Sequence, residues 1–502
     1  MVRRLGVQRE IVAIAVGLTL IRLVAARWIH LTEDEAYYRL WAQQLHLGYY
    51  DHPPMIAWWV RSGVALAGDN PLGVRLIAVI ATGLATWLVA DLAGHLGARP
   101  ATALRSAVWY NATITIGIGG ILATPDAPAT FFWVLALWCL ARTTGPRSAA
   151  WWAAAGLAVG LATISKYSAL FLAPGVFLWL CLSPGGPARL KTPWPWIAAL
   201  LAVGVFATNI AWNAQHGWLT FAKQFGRVEP TDFSPAHLAE LLMTQFVLLN
   251  PMIAIYAFKG VRLAWAERKD PAAVDLLLPL ATTLPFAAYL MIHSLHDRVQ
   301  GHWPAPFFAA LVICASVAAE RGSTRPAVRG LRNLAVALSL GLIGAALAYM
   351  AAPQSRGLGT FDPILPLRGW REFSIAVDQK RREEGAAWIG VVSYGTLAQL
   401  SAEGLVTAPL LQITERTRYL GFPPPAPDFR QPGLIVDLAR RLETRDLLRC
   451  FSDVTPVGDL DRGAREPGPA ARYRAYLVRE PRVDVMTVGC PDDPAMRGRH
   501  WR

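Results

Sequence analysis

Apolar runs long enough to cross a bilayer recur about eleven times before residue 351, near 10–29, 70–91, 103–120, 127–142, 149–164, 167–182, 195–211, 238–258, 273–292, 303–319 and 331–350. About 20 apolar residues span the hydrocarbon core, and a backbone in lipid must satisfy its own polar groups, which for such runs means helices. The pattern predicts an α-helical polytopic membrane protein with about 11 transmembrane helices over residues 1–351. Several runs are short or interrupted by glycine and proline. With 54% of its residues hydrophobic, the chain does not fit a purely soluble fold.

The character changes near Ala352. The last 150 residues carry 22 basic and 19 acidic side chains and no run of spanning length, so 352–502 is expected to be a separate soluble domain with its own core. Residues 388–404 and 433–451 read as strand-then-helix units and 474–478 as another strand, which predicts a small α/β fold. Cys139, Cys181 and Cys314 fall in apolar runs and read as small apolar residues. Cys450 and Cys490 belong to the soluble part, where an oxidising compartment would permit a disulfide.

Orientation follows from the basic residues, which stay cytoplasmic in short loops. With the N-terminus inside, the cytoplasmic segments carry seventeen Lys and Arg and the opposite ones eight, so the C-terminal domain is expected to be extracytoplasmic. The opening MVRRLGVQRE has the outline of a signal peptide, but Arg22 and the Arg27-Trp28 pair fit an uncleaved anchor better. Of the formal net charge of +13, residues 1–352 contribute +10. The basicity therefore reflects topology, and no nucleic acid is expected as a partner.

The outward segments hold the candidate chemistry. Directly after the first run, Thr32 to Pro54 crowds Glu33, Asp34, Glu35, Asp51 and His52 against Arg27, Trp28 and His30. Thr32 followed three residues later by Glu35 has the form of a capping box, with Tyr37, Leu40, Trp41 and Leu45 at helical spacing behind it. Glu35 reads equally as a helix cap and as a catalytic acid. Asp34 has no capping duty and is presented as a general base must be. The stretch Tyr49-Tyr50-Asp51-His52-Pro53-Pro54 is either a rigid interfacial aromatic turn or a site where His52 meets a phosphate, or Asp51 and His52 a divalent metal. Asp126, in the otherwise uncharged turn ATPDAP, either caps the following helix or joins the site. Lys166 either snorkels from a helix end or contacts a phosphate. Arg298, flanked by His296, Asp297 and His302, either pairs with Asp297 or grips a phosphate bidentately.

In this order and on alternate loops, DEAYYRLWAQQLHLGYYDHPP, ATPDAPATFFW, ISKYSALFL and HDRVQGHWPAPFF resemble the bacterial family 39-type glycosyltransferases of the GT-C fold, relatives of protein O-mannosyltransferases and of the aminoarabinose transferases of lipid A. The resemblance is dense over about residues 10–350 and looser in the C-terminal domain. It implies an enzyme of the bacterial inner membrane with a polyprenyl-phosphate-linked sugar as donor, a glycan, lipid or protein acceptor in the envelope, and inverting transfer on the non-cytoplasmic face. By the family's pattern Asp34 matches the first-loop acid that acts as base or orients the acceptor, and Asp126 the second-loop acid. Where aminoarabinose transferases carry Glu-Lys-Pro-Pro, this chain has Asp51-His52-Pro53-Pro54. A fixed cation is thereby replaced by a partly protonated histidine, which keeps metal ligation open.

A prenyl phosphate is already a good leaving group, so one carboxylate and two or three cations would suffice. No Gly-rich Rossmann loop follows a predicted strand in the membrane region, which agrees with a lipid-borne donor. The rival is a polytopic transporter or lipid flippase, which would set its ionisable groups near mid-membrane and show internal repeats. Here the candidates lie mostly in outward loops.

Overall fold

The computed structural model describes residues 2–226, 233–268, 270, 273–322, 325–352, 362–423, 426–463, 469–487 and 489–490. Arg227 and Lys269, two of the basic residues counted for orientation, lie outside the described residues. The chain divides into two compact units, one of Met1–Arg27 with Asp51–Tyr349, the other of Trp28–Tyr50 with Met350–Arg502. The acidic segment after the first apolar run thus groups with the C-terminal part of the chain.

The first unit is helical. Gly6–Trp28, Pro71–His95, Trp194–Gln215 and Pro326–Ala351 are each long and apolar enough to cross a membrane, and shorter apolar helices include Asp126–Leu140, Ser148–Thr163, Tyr167–Leu182 and Leu277–His293. Apolar side chains such as Leu200 and Leu342 point outward from two of the long helices, as lipid contact requires. Trp133, Leu137, Phe308 and Ile313 are wholly buried. Helices approach closely where a side chain is lacking: a Cβ on Gly260 would stand 2.2 Å from the Cys314 carbonyl oxygen.

Two of the expected runs are broken, each for a local reason. The run over 238–258 is a pair of helices, Pro235–Leu248 and Pro251–Glu267, bent by 107°. At the bend Asn250 has a φ of 74° and its side chain caps the second helix, while Pro251 has no N–H to extend the first. The run over 103–120 ends as a regular helix at Asn111 and resumes as the turn Ile114–Gly117, capped by Thr113. Arg22 donates to Asn111 Oδ1 at 2.8 Å and to the Ile116 carbonyl at 3.1 Å. A cation buried in the first apolar run is thus spent on polar groups at this break. The helix Met55–Ala67 lies where the sequence reads as loop; at 13 residues, with Arg61 among them, it is too short to span.

The second unit contains a five-stranded sheet in the order β2-β1-β3-β5-β4. The strands are β1 Trp388–Val391, β2 Leu410–Gln412, β3 Gly433–Leu438, β4 Phe451–Arg462 and β5 Ala471–Pro481. β1 runs parallel to β2 and β3, whereas β5 is antiparallel to β3 and β4. The two inner parallel strands are buried along their length, which explains their continuous apolar sequences WIGV and GLIV. Trp388, Ile413, Ile435, Phe451 and Val478 form the core of this sheet.

The helix Tyr394–Glu403 follows β1 as expected, but in the unit 433–451 the strand is followed by the short 3-10 turn Ala439–Arg441 and the one-turn helix Thr444–Leu447 in place of a full helix, and β2 and β4 add to the expected strands. With β2 and β3 on opposite sides of β1, the carboxyl ends of β1 and β3 form a topological switch point. Cys450 and Cys490 are joined as a disulfide, with Cα atoms 5.5 Å apart.

Candidate active site

The helix Glu33–Trp41 starts as its sequence dictates. Glu35 N donates to Thr32 Oγ1 at 3.2 Å, and Glu35 Oε2 accepts from Thr32 N at 3.0 Å and Thr32 Oγ1 at 3.1 Å. Both halves of the capping box are closed, so the buried Glu35 carboxylate does the capping. Its neighbour Asp34 is exposed, and Asp34 Oδ1 accepts a hydrogen bond of 2.9 Å from the Tyr394 hydroxyl. Glu33 lies over the first turn of the helix Tyr394–Glu403, where a Cβ on Gly395 would stand 2.4 Å from Glu33 Oε2. Burial pushes the Glu33 carboxyl above the usual carboxylate range, opposed by Arg441 and Arg462 and reinforced by Asp437 and Asp34. An aromatic stack of Trp41 on Tyr49, with ring centroids 4.2 Å apart, closes the end of this segment.

In the other unit, Asp126 is the first residue of the helix Asp126–Leu140. Lys166 Nζ donates to Asp126 Oδ1 at 2.7 Å, and His302 Nε2 lies 3.7 Å from Oδ2. His52 adds to the positive field on the same carboxylate. The Asp126 and Lys166 side chains are each 15% exposed, whereas His302 is 53% exposed, so the pair sits behind a histidine that meets solvent. Lys166 is therefore not a snorkelling cation; its ammonium is paired with Asp126 and lies 5.9 Å from the Trp303 ring centroid. Residues from four of the loop motifs thus act on one carboxylate.

Arg298, expected on a phosphate or on Asp297, makes a different pairing. Its Nε donates to the two Glu240 oxygens at 2.7 and 2.9 Å and its Nη2 lies 2.6 Å from Oε1, while only its backbone N–H donates to Asp297. The fork that would grip a phosphate is filled by a carboxylate that the sequence did not single out. Asp51 is buried, and its backbone carbonyl accepts from the Gln224 side chain. Among the described residues no group of three or more His, Cys, Asp or Glu side chains is placed to hold a metal ion, so the expected pair Asp51 and His52 has no third ligand of that kind there.

Two residues escaped the sequence reading. His302 stood there only as a neighbour of Arg298, and its approach to Asp126 depends on a fold that brings distant turns together. Tyr394 is 360 residues from Asp34, and nothing local marks it.

Residues 51–212, which include His52, Asp126 and Lys166, match the family model described as dolichyl-phosphate-mannose-protein mannosyltransferase. The chain is 32% identical over 311 residues to the lipid A galacturonosyltransferase RgtD of Rhizobium johnstonii, a match covering 60% of this chain and 64% of that protein. It is 28% identical over 293 residues to an undecaprenyl phosphate-alpha-4-amino-4-deoxy-L-arabinose arabinosyl transferase of Pseudomonas fluorescens, covering 52% of this chain and 49% of that one. The chain thus spans less than two thirds of the length of either relative. The structure of ArnT from Cupriavidus metallidurans bound to undecaprenyl phosphate aligns with a TM-score of 0.60 at 14% identity, over 92% of this chain and 97% of that one. The resemblance read from the ordered loop motifs holds in these relatives, and the fold of this chain is the GT-C fold of ArnT.

Proposed function

We propose that this protein is an integral glycosyltransferase of the bacterial inner membrane, transferring a sugar from a polyprenyl-phosphate-linked donor to an envelope glycan or lipid on the extracytoplasmic face with inversion. The observation that carries this reading is the Asp126 cluster, in which Lys166, His302 and His52 face one carboxylate at the head of an apolar helix. Charges at membrane depth cost desolvation energy and persist where an ion has to be handled. The prenyl phosphate that departs when the anomeric C–O bond breaks is such an ion, and positive groups already in place stabilise it without reorganisation. We assign that task to Lys166 with His302 and His52. Asp34 is assigned the proton of the attacking hydroxyl, since it is exposed on the first turn of its helix and Glu35 is spent on the cap. Arg298 would have to release Glu240 to reach a phosphate, and is assigned to the fold.

The relatives are named as transferases, which favours transfer over the transporter or flippase reading. Purified protein supplied with undecaprenyl phosphate carrying galacturonate, aminoarabinose or mannose, together with lipid A, should release undecaprenyl phosphate and glycosylate the acceptor with at least one donor. Movement of the lipid across a vesicle bilayer without any sugar transfer would sink the proposal and restore the flippase.

The reading includes about eleven crossings, with the four long helices, the bent pair and the shorter apolar helices among the candidates, and a cytoplasmic N-terminus. A cysteine at Arg430, whose side chain is 96% exposed, should then be labelled by an impermeant reagent in intact spheroplasts. A cysteine at Ala266 should be protected. The reverse pattern would put every candidate loop inside the cell.

A further inference from the structure

The unit built from Trp28–Tyr50 and Met350–Arg502 fills its own switch point. Asp437, near the carboxyl end of β3, accepts from Val392 N at 3.0 Å, Ser393 N at 2.8 Å and Thr396 Oγ1 at 3.1 Å, and Ser393 Oγ accepts from Thr396 N to cap the helix Tyr394–Glu403. The first turn of that helix is thereby fixed, and with it the direction of Tyr394, its first residue. The Tyr394 hydroxyl donates to Asp34 Oδ1 at 2.9 Å. Along the same helix Gln399 Nε2 donates to the Leu31 carbonyl at 2.8 Å, and Glu403 pairs with His30 at 2.7 Å. Three residues of one helix therefore tie down the segment that presents Asp34.

Arg418 stands against the Tyr394 ring. Its guanidinium carbon is 4.6 Å from that ring centroid, 5.2 Å from the Tyr50 centroid and 5.7 Å from the Tyr37 centroid. Arg418 is 7% exposed and its Nε donates to Glu415 at 2.7 Å, so the cation is held in place and cannot simply swing into water. A cation against a phenol ring draws electron density from the hydroxyl and makes it a stronger donor. A carboxylate that accepts such a bond is favoured in its ionised form, and its remaining lone pairs are given a fixed direction.

We infer that Tyr394, supported by Arg418, is a positioning residue for Asp34, through which the C-terminal domain keeps the acceptor-side base ionised and aimed. The inference rests on the reading of Asp34 as that base. Charged groups near it include Glu33 on its own helix, which Arg441, Arg462 and Asp437 also act on, and Arg418 against the tyrosine ring.

Tyr394→Phe removes one oxygen and keeps the ring, whose centroid lies 4.9 Å from that of Tyr37. In the full-length protein in detergent it should lower kcat about tenfold while the donor KM stays within about twofold, and should move the acid limb of the kcat profile about one pH unit upward. Arg418→Lys, which keeps the charge and loses the planar contact, should move the limb in the same direction by less, and decides the question should Tyr394→Phe fail to fold. Asp34→Asn, measured alongside, separates the two levels. Its inactivity combined with wild-type kcat and pH profile in Tyr394→Phe, or in a folded Arg418→Lys standing in for it, overturns the positioning role and leaves the base. Near-normal turnover in Asp34→Asn overturns the base itself.

Discussion

Asp34→Asn is expected to lower sugar transfer by about a hundredfold to ten-thousandfold, the range that a positioned proton acceptor contributes, while the protein still folds and extracts normally. The substitution is nearly isosteric. Asparagine Oδ1 can still accept from the Tyr394 hydroxyl, so the helix Glu33–Trp41 keeps that anchor while the negative charge and the ability to take a proton are lost. The capping box does not involve Asp34, which separates chemistry from helix stability at adjacent residues. Glu35→Ala should show the converse: loss of about 1 kcal/mol of stability from the opened cap, read as a lower melting temperature in detergent, with a milder effect on turnover. The check is donor consumption by the purified variants beside their thermal melts. Wild-type turnover in Asp34→Asn would remove it from the mechanism.

What could be read beforehand was what is written locally. Thr32 and Glu35 are three residues apart and close their capping box through bonds within one turn, so the helix start was visible in the sequence. The four helices of spanning length were visible as runs because a bilayer selects on length and polarity, and the inner strands β1 and β3 because burial on both faces leaves only apolar residues. The breaks inside two runs were not, although Asn250-Pro251 and Asn111 stood in plain sight, because an apolar average hides a single cap or proline. Pairings across the fold were invisible. Lys166 and Asp126 are 40 residues apart, Arg298 and Glu240 58, and Asp34 and Tyr394 360, and no periodicity connects them. The same limit applies to Arg298: residue type and flanking sequence suited a phosphate fork, and the Glu240 carboxylate, from the helix Pro235–Leu248, pairs with it. Short or exposed strands such as β2, three residues long, and β4, mostly solvent-facing, lack the apolar signal that betrays an inner strand.

Lys166→Ala should be the most damaging single change in the membrane unit, and the Asp126 pairing says how to tell its two effects apart. Removing the ammonium leaves a largely buried carboxylate without its direct cation, and breaking such a pair costs about 3 kcal/mol or more. A loss of activity in this variant alone would therefore be ambiguous, since the protein would also be less stable. Asp126→Asn in the same chain removes the uncompensated charge, so the double variant should recover most of the melting temperature lost by Lys166→Ala, and the strong coupling in a double-mutant cycle on stability would measure the pair. Turnover should behave differently. With the cation assigned to the departing phosphate, no substitution at Asp126 can replace it, and the double variant should remain as slow as Lys166→Ala, with a raised apparent donor KM or a lowered kcat and an unchanged dependence on acceptor. Recovery of both stability and turnover in the double variant would mean that Lys166 serves only to neutralise Asp126. The phosphate would then be left to His302 and His52, which carry charge only when protonated, and transfer would be expected to fall as pH rises.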